Sequence, residues 1–234
     1  MILNCDAKGL ETYAVAYLAQ DKVLLKELIE GLDVHGSNQE AFGLPSRLIA
    51  KVFVFRLIYG GSAYSYANDP DFAGVSKSEK YWQSVIDKFY DKYKGIANWH
   101  QSITQEVVRT GKLTTPTGRR FTFEAKRNYK GELQWPITTI KNYPVQSLGA
   151  DIMSLIRVSF RRRFKNANID GFIVNTVHDS IVVDCSRGEE ERVTALFNSV
   201  FSDAPANFKR IFGVEFNLPL LCEVSKGNNM KEAK

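Results

Sequence analysis

Residues 174–183 read VNTVHDSIVV, two β-branched runs on either side of a polar His178-Asp179 step. That pattern predicts a hairpin over about 172–184 with a carboxylate at its turn. A carboxylate raised on rigid strands suits a hard cation, although an aspartate in a β-turn is on its own ordinary turn chemistry. Working outward, a second acidic strand end stands near the N-terminus, where residues 1–6 read as a short strand closing on Cys5-Asp6. A cationic helix lies between the two. Two acidic strand ends and a basic helix are the parts a two-metal phosphoryl-transfer site requires.

The basic helix is predicted over Arg47 to Tyr59, with Ser46 as its N-cap and Gly60-Gly61 ending it. It carries Arg47, Lys51, Phe55 and Tyr59 at i, i+4, i+8 and i+12, a spacing that drifts only about 40° per step and keeps all four on one slowly turning face. Two cations followed by two rings suit a nucleoside triphosphate laid along a helix. Spacing alone favours an amphipathic helix with core aromatics and snorkelling cations.

The rest of the chain reads as helical from Glu11 to Leu32 with a stop at Gly31, and helical again in a short stretch that Asp33-Val34-His35 opens and that runs through Phe42. Residues 65–76 are turn-rich. A long helical region runs from Ser78 to Thr110, with a break expected at Gly95. A hairpin is predicted from Leu113 to Phe123, an exposed polar segment over 126–132, and a helix over 145–165 ending in Arg161-Arg162-Arg163, which read as a solvated or backbone-contacting face with no assigned site. Ser186 to Glu189 has capping-box spacing for a helix to about Phe201, and a last strand is expected over Phe216 to Val224.

At 234 residues the chain can bury a proper core, and its 44% hydrophobic and 24% charged residues are ordinary for a globular protein. A net charge of +5 permits a polyanionic partner without requiring one. Cys5, Cys185 and Cys222 lie far apart in apolar runs, with no CxxC spacing, so buried reduced thiols and an intracellular setting are expected. No apolar run approaches the roughly 20 residues of a membrane span, and the N-terminus lacks the features of a signal peptide.

Several segments, in order, resemble the family A DNA polymerases. RLIAKVFVFRLIYGGSAY is similar to motif B, RxxxKxxxFxxxYG. NCDAKGLETYAVAYLAQD resembles motif A, and VNTVHDSIVV resembles motif C, which normally reads VHDE. NYPVQSLGADI, TPTGRRF and PLLCEVSKGNNM are similar to the family's NxPxQGxxAD, LxGRRxxxP and PLxxEVxxGxNW segments, and LDVHGSNQEAFG to its DIHxxTAxxxFG. The resemblance implies an α+β right-hand fold. A small antiparallel palm sheet, about residues 1–40 and 130–234, would carry the carboxylates, with helical fingers inserted over about 41–129.

It also implies roles. Asp6 and Asp179, with Ala7 beside them, would hold two Mg²⁺ ions, with Mn²⁺ as a substitute, and Lys51 would lie near the transferring phosphoryl group. Arg47, Lys51 and His35 would contact the triphosphate of a dNTP, and Glu11 would block a ribose 2′-hydroxyl. Phe55 and Tyr59 would line the sugar and nascent-base-pair pocket. Gly60, Ser62, Asn142, Gln146 and His178 would contact DNA, Asn142 and Gln146 through minor-groove acceptors shared by all base pairs.

The implied function is template-directed DNA synthesis on primer-template DNA, in a phage-type replicative setting in the host cytoplasm. Three departures stand out: Ser180 replaces the usual Glu after His-Asp, and Lys141 and Tyr143 replace smaller or apolar residues. Thumb and exonuclease sequences do not precede motif A, so a separate chain supplying them is expected, and with it weak binding by this chain alone. Two alternatives stay open: a fragment of a single-subunit phage-type RNA polymerase, against which Glu11 and Phe55 argue, and a non-catalytic DNA-binding or scaffold subunit, against which intact Asp6, Asp179, Arg47 and Lys51 argue.

Overall fold

A computed structural model describes residues 1–233, which divide into two compact units. Of the described residues, the first comprises 1–14, 116–118 and 146–233; the second comprises 15–115 and 119–145.

The first unit is built on an antiparallel four-stranded sheet in the order β6-β7-β1-β8. Its strands are β1 (Ile2–Ala7), β6 (Gly171–Val177), β7 (Ser180–Cys185) and β8 (Cys222–Gly227). The alternation of β1 is strict: Leu3, Cys5 and Ala7 are buried, whereas Asp6 is exposed. β7, an inner strand, is buried continuously from Ser180 to Val183, as a strand covered on both faces should be. Two long helices complete the unit, the later part of α8 (Ile137–Asn166) and α9 (Glu190–Phe212). Phe160 of α8 and Phe197 of α9 stack with centroids 4.0 Å apart and planes 7° off parallel, both fully buried. Such a pair contributes about 0.5–1.5 kcal/mol beyond its area.

Helix α9 runs past the expected end near Phe201, through Pro205 to Phe212. Buried Ala204 and Phe208 hold that stretch to the core, outweighing the one lost backbone donor. The capping box expected at its start is not formed: Glu189 is the N-cap and makes no side-chain capping bond. The last strand also differs. Phe216, Leu218 and Leu220 are buried, yet pairing begins only at Cys222, so the apolar alternation there anchors an irregular segment.

The second unit is mainly helical. The predicted helix from Glu11 to Leu32 is two helices, α1 (Leu10–Ala19) and α2 (Lys22–Ile29), separated by Gln20 in a left-handed conformation (φ 45°). Asp21 explains the break. One carboxylate oxygen accepts from the amides of Val23 and Leu24 at the start of α2 (3.0 and 2.9 Å), and the other accepts from Gly95 N at 2.6 Å. A single side chain thus caps α2 and ties it to the first turn of α7 (Lys94–Thr110). The break before α7 falls at Tyr93, where α6 (Glu79–Lys92) ends, and not at Gly95. Gly95 is required for closeness: a Cβ there would lie 2.6 Å from Asp21 Cα.

Around this frame α3 (Val34–Phe42), α4 (Arg47–Ile58) and α5 (Ala63–Ala67) pack an aromatic core. Phe53, Tyr66 and Trp82 are stacked or tilted at 5.0–5.9 Å, and the Tyr66 hydroxyl donates to the Phe53 carbonyl at 2.9 Å. A polar knot lies beside it. Lys92 Nζ reaches Glu27 at 2.8 Å and donates to Asn38 at 2.7 Å, while the Tyr93 hydroxyl donates to Glu27 at 2.7 Å. The predicted hairpin near Pro116-Thr117-Gly118 is β2 (Lys112–Thr114) with β3 (Arg120–Thr122), and a second hairpin, β4 (Lys126–Arg127) with β5 (Leu133–Gln134), is built on the segment expected to be polar and exposed.

Gly95→Ala should therefore lower unfolding free energy by about 1–3 kcal/mol through forced displacement of Asp21. Gly74→Ala, where a Cβ meets nothing within 4 Å, should stay within about 0.5 kcal/mol of the parent. Equal denaturation midpoints for the two variants would dismiss the double-cap account.

Candidate active site

In the first unit the two aspartates of the sequence reading come together through backbone pairing. Asp6 lies opposite Ser180 in the β1–β7 register, and Ala7 N donates to the Asp179 carbonyl at 3.0 Å. His178 and Asp179 form the two-residue turn between Val177 and Ser180, with His178 at φ 50°. Such a left-handed first position is uncommon for a residue with a Cβ and gives the hairpin its tight reversal. His178 is exposed and Asp179 half-buried. Ser180, which stands where the family has Glu, turns its hydroxyl back to the Val177 carbonyl at 3.0 Å. It braces the turn instead of adding a charge to it.

On the other side of β1, Glu223 lies opposite Asp6 and is drawn toward Lys8, 3.9 Å away. Sequence reasoning missed Glu223, because only the β1–β8 register brings it beside motif A. The same register makes neighbours of Cys5 and Cys222: Ala7 pairs with Cys222 and Cys5 with Val224. The adjacent Cys222 thiol and burial both push the Cys5 thiol up, while contact with Cys5 brings that of Cys222 down. Gln146 Nε2 donates to Glu11 Oε1 at 2.7 Å. Two residues that the resemblance gives separate tasks therefore form one hydrogen-bonded pair.

In the second unit α3 and α4 bring the predicted triphosphate contacts together. Ser46 caps α4, its hydroxyl accepting from Ile49 N at 3.2 Å. Arg47, in the first turn, makes a two-point pair with Asp33: Nε to Oδ2 at 2.7 Å and Nη2 to Oδ1 at 2.9 Å. This guanidinium holds the Asp33 carboxyl down at about 2. His35 lies 5.8 Å from the Phe55 ring, and Lys51 Nζ is 5.9 Å from the same ring. Burial first, then the charges of Arg47 and Lys51, lower the His35 pKa below its ordinary 6.5. Its buried Nδ1 has no hydrogen-bond partner among the described residues. Neutral His35 is thus a donor or acceptor set among cations.

Tyr59 closes α4 as its C-cap, and Gly60 follows at φ 94°. A Cβ on Gly60 would also come within 3.2 Å of Thr138 Cα, so conformation and space both require glycine. Ser62 caps α5 by accepting from Ser65 N at 3.2 Å. Asn142, half-buried on α8, belongs to this unit as well. Arg56 pairs with Asp69 and Asp71, anchoring the end of α4 to the turn after α5.

Divalent-cation binding can be tested against the donor set. No group of three or more His, Cys, Asp or Glu side chains suited to a metal occurs among the described residues. The carboxylates at hand are Asp6 and Asp179, on adjoining strand ends, with Glu223 opposite Asp6 but drawn toward Lys8. That fits Mg²⁺, which retains water and substrate oxygens beside one or two carboxylates, and does not fit a closed all-protein cage.

Comparison with known proteins shows the family and the fold. The model for DNA polymerase family A matches residues 1–232. DNA polymerase I of Aquifex aeolicus is 28% identical over 210 residues, covering 85% of this chain and 35% of the relative. That of Pseudomonas aeruginosa is 28% identical over 241 residues, covering 99% of this chain and 25% of the relative. The chain therefore spans about a quarter to a third of these relatives. The solved POL domain of Pol1 from M. smegmatis, in complex with DNA primer-template and dNTP, superposes with a TM-score of 0.84 at 21% identity, over 99% of this chain and 40% of that one. At that identity the likeness speaks for the fold.

The cationic frame around His35 sets its titration. Followed by NMR, its midpoint should lie below 6.5 and rise in Arg47→Met, though only part of the way, because burial remains. Being lowered on folding, it favours the folded state above the unfolded value and loses that contribution as pH falls. An unmoved midpoint in the variant would show that burial acts alone.

Proposed function

The chain belongs to DNA polymerase family A, and from that membership we propose that it extends a primer 3′-hydroxyl with deoxynucleoside triphosphates on a DNA template. In this reading the sheet-bearing unit acts as palm and the helical unit as fingers. The observation that carries it is the register of β1 against β7, which sets Asp6 opposite Ser180 and bonds Ala7 to the Asp179 carbonyl. Two divalent cations held by Asp6 and Asp179 would supply the charge stabilisation that phosphoryl transfer requires at the attacking and leaving oxygens.

The other steps belong to the chain's own side chains. Arg47 and Lys51 neutralise the triphosphate, and His35, kept neutral, bonds a phosphate oxygen without adding charge. Lys51 stabilises negative charge near the transferring phosphoryl group. Phe55 and Tyr59 face the sugar and the nascent base pair. Glu11 excludes the ribose 2′-hydroxyl, and Gln146 holds its carboxylate in place, so Gln146 acts as a positioning residue as well as a minor-groove contact. Asn142, Gly60, Ser62 and His178 contact the DNA. Ser180 in place of Glu supports a phage replicative setting.

Asp6→Ala and Asp179→Ala should each reduce primer extension by several orders of magnitude with unchanged circular dichroism. A folded Asp6 variant that still extends primers at the parental rate would falsify the two-metal assignment and favour a scaffold role. Glu11→Ala should raise ribonucleotide incorporation more than it lowers deoxynucleotide use. Gln146→Ala should shift selectivity in the same direction by a smaller factor. Competition between labelled rNTP and dNTP measures both, and unchanged selectivity in the pair would remove Glu11 as the gate.

A further inference from the structure

The β4–β5 hairpin and the start of α8 frame a groove in the second unit that none of the roles above uses. It is a cavity of about 730 Å³, with Phe123, Lys126, Arg127, Trp135 and Tyr143 among its walls. Tyr143 is 48% exposed, and its ring is backed by Phe121 at 5.3 Å and Phe123 at 6.0 Å. Phe121 and Trp135 in turn pack on the buried cluster of Ile103, Val107 and Ile140. A flat ring is therefore fixed from behind and open in front. Lys126 and Arg127 are exposed along β4. Arg127 is oriented by donating Nη1 to the Gly131 carbonyl at 2.6 Å. At the hairpin tip Tyr129 is 93% exposed, with Lys130 Nζ 5.6 Å from its ring. Residues 119–135 carry five Lys and Arg against two Glu. One of those, Glu132, is bonded to Asn128.

Supported aromatic faces beside a row of cations are the two elements by which proteins hold single-stranded nucleic acid: bases stack, and the backbone tracks the positive charge. A protein partner would have to desolvate the same cations against an apolar surface, whereas phosphodiesters match them. We propose that this groove binds a segment of single-stranded DNA, with a base stacked on Tyr143 and adjoining phosphates on Lys126 and Arg127. The polymerase reading supplies a source, an unpaired template strand, but binding can be measured apart from synthesis.

The experiment is equilibrium binding of a labelled oligo(dT) to the purified chain over a series of salt concentrations, with circular dichroism to verify each variant. Lys126→Glu with Arg127→Glu should weaken binding by at least about tenfold. Lys126→Ala with Arg127→Ala should flatten the log–log salt slope by about 1.4, the value for two phosphate contacts on a single strand. Tyr143→Ala should weaken binding without changing that slope, and Tyr143→Phe should restore it. An oligonucleotide carrying iododeoxyuridine should photocrosslink to a peptide within residues 121–143. Lys80→Glu with Lys88→Glu, on exposed positions of α6, makes the same change in net charge and should leave affinity near parental. Equal losses in that control, or adducts confined to other peptides, would overturn the groove assignment. Unchanged affinity in the Lys126, Arg127 and Tyr143 variants would do so too, leaving the ribbon as a protein-facing surface. Primer extension by the parent chain reports separately on the polymerase reading.

Discussion

Everything in the sheet-bearing unit depends on the register of one short strand. β1 is flanked by β7 and β8, and its side chains alternate strictly between the buried core and the exposed face. A slip of one residue would exchange the two sets, sending Asp6 into the core and Cys5 to the surface. The slip is opposed from both sides. Leu3 and Cys5 are fully buried, and Ala7 N is bonded to the Asp179 carbonyl. The apolar residues of β1 thus hold the carboxylate in position by refusing the alternative.

The helical unit solves a different problem, the placement of several cations along its helices. Its solution is to tether them. Arg47 is held by Asp33, Arg56 by Asp69 and Asp71, and Lys92 by Glu27 and Asn38. The Lys92–Glu27 pair is largely buried, so it adds little net stability over an apolar substitute but makes the removal of either partner costly, about 3–5 kcal/mol. Its effect is to fix α2, α3 and α6 in one arrangement. His35 projects from α3, which this knot holds, and Arg47 from α4, which its pair with Asp33 ties to the start of α3.

Much of this was legible in the sequence, and what was not has identifiable causes. The VHDS turn, the Ser46 cap, Gly60 and the ladder of Arg47, Lys51 and Phe55 are local features, fixed by residues a few positions apart. The break at Gln20-Asp21 was legible in principle, since an aspartate before an apolar helical run is an N-cap signal; an unbroken helical period masked it. Gly95 was misread as a helix breaker because its partner, Asp21, is remote in sequence. The β4–β5 hairpin was hidden because its strands are two residues each and carry charge in place of alternation. The apolar spacing of 216–220 promised a strand, but burial without a neighbouring edge gives no ladder. Glu223 beside Asp6, Cys222 beside Cys5 and Gln146 on Glu11 are products of long-range register, which no window along the chain contains.

The Asp33–Arg47 pair has a further consequence for how the helical unit meets a polyanion. A polyanion sheds condensed cations when a protein cation neutralises its phosphates, so the contribution of a bare surface cation falls as salt rises. Arg47 carries its anion on the same polypeptide. A phosphate oxygen must displace the Asp33 carboxylate from Arg47, so the local gain is the difference between two charge-assisted pairs. Arg47 is in this sense a buffered electrode, whose occupancy answers to the geometry of the incoming group as well as to the ionic strength around it.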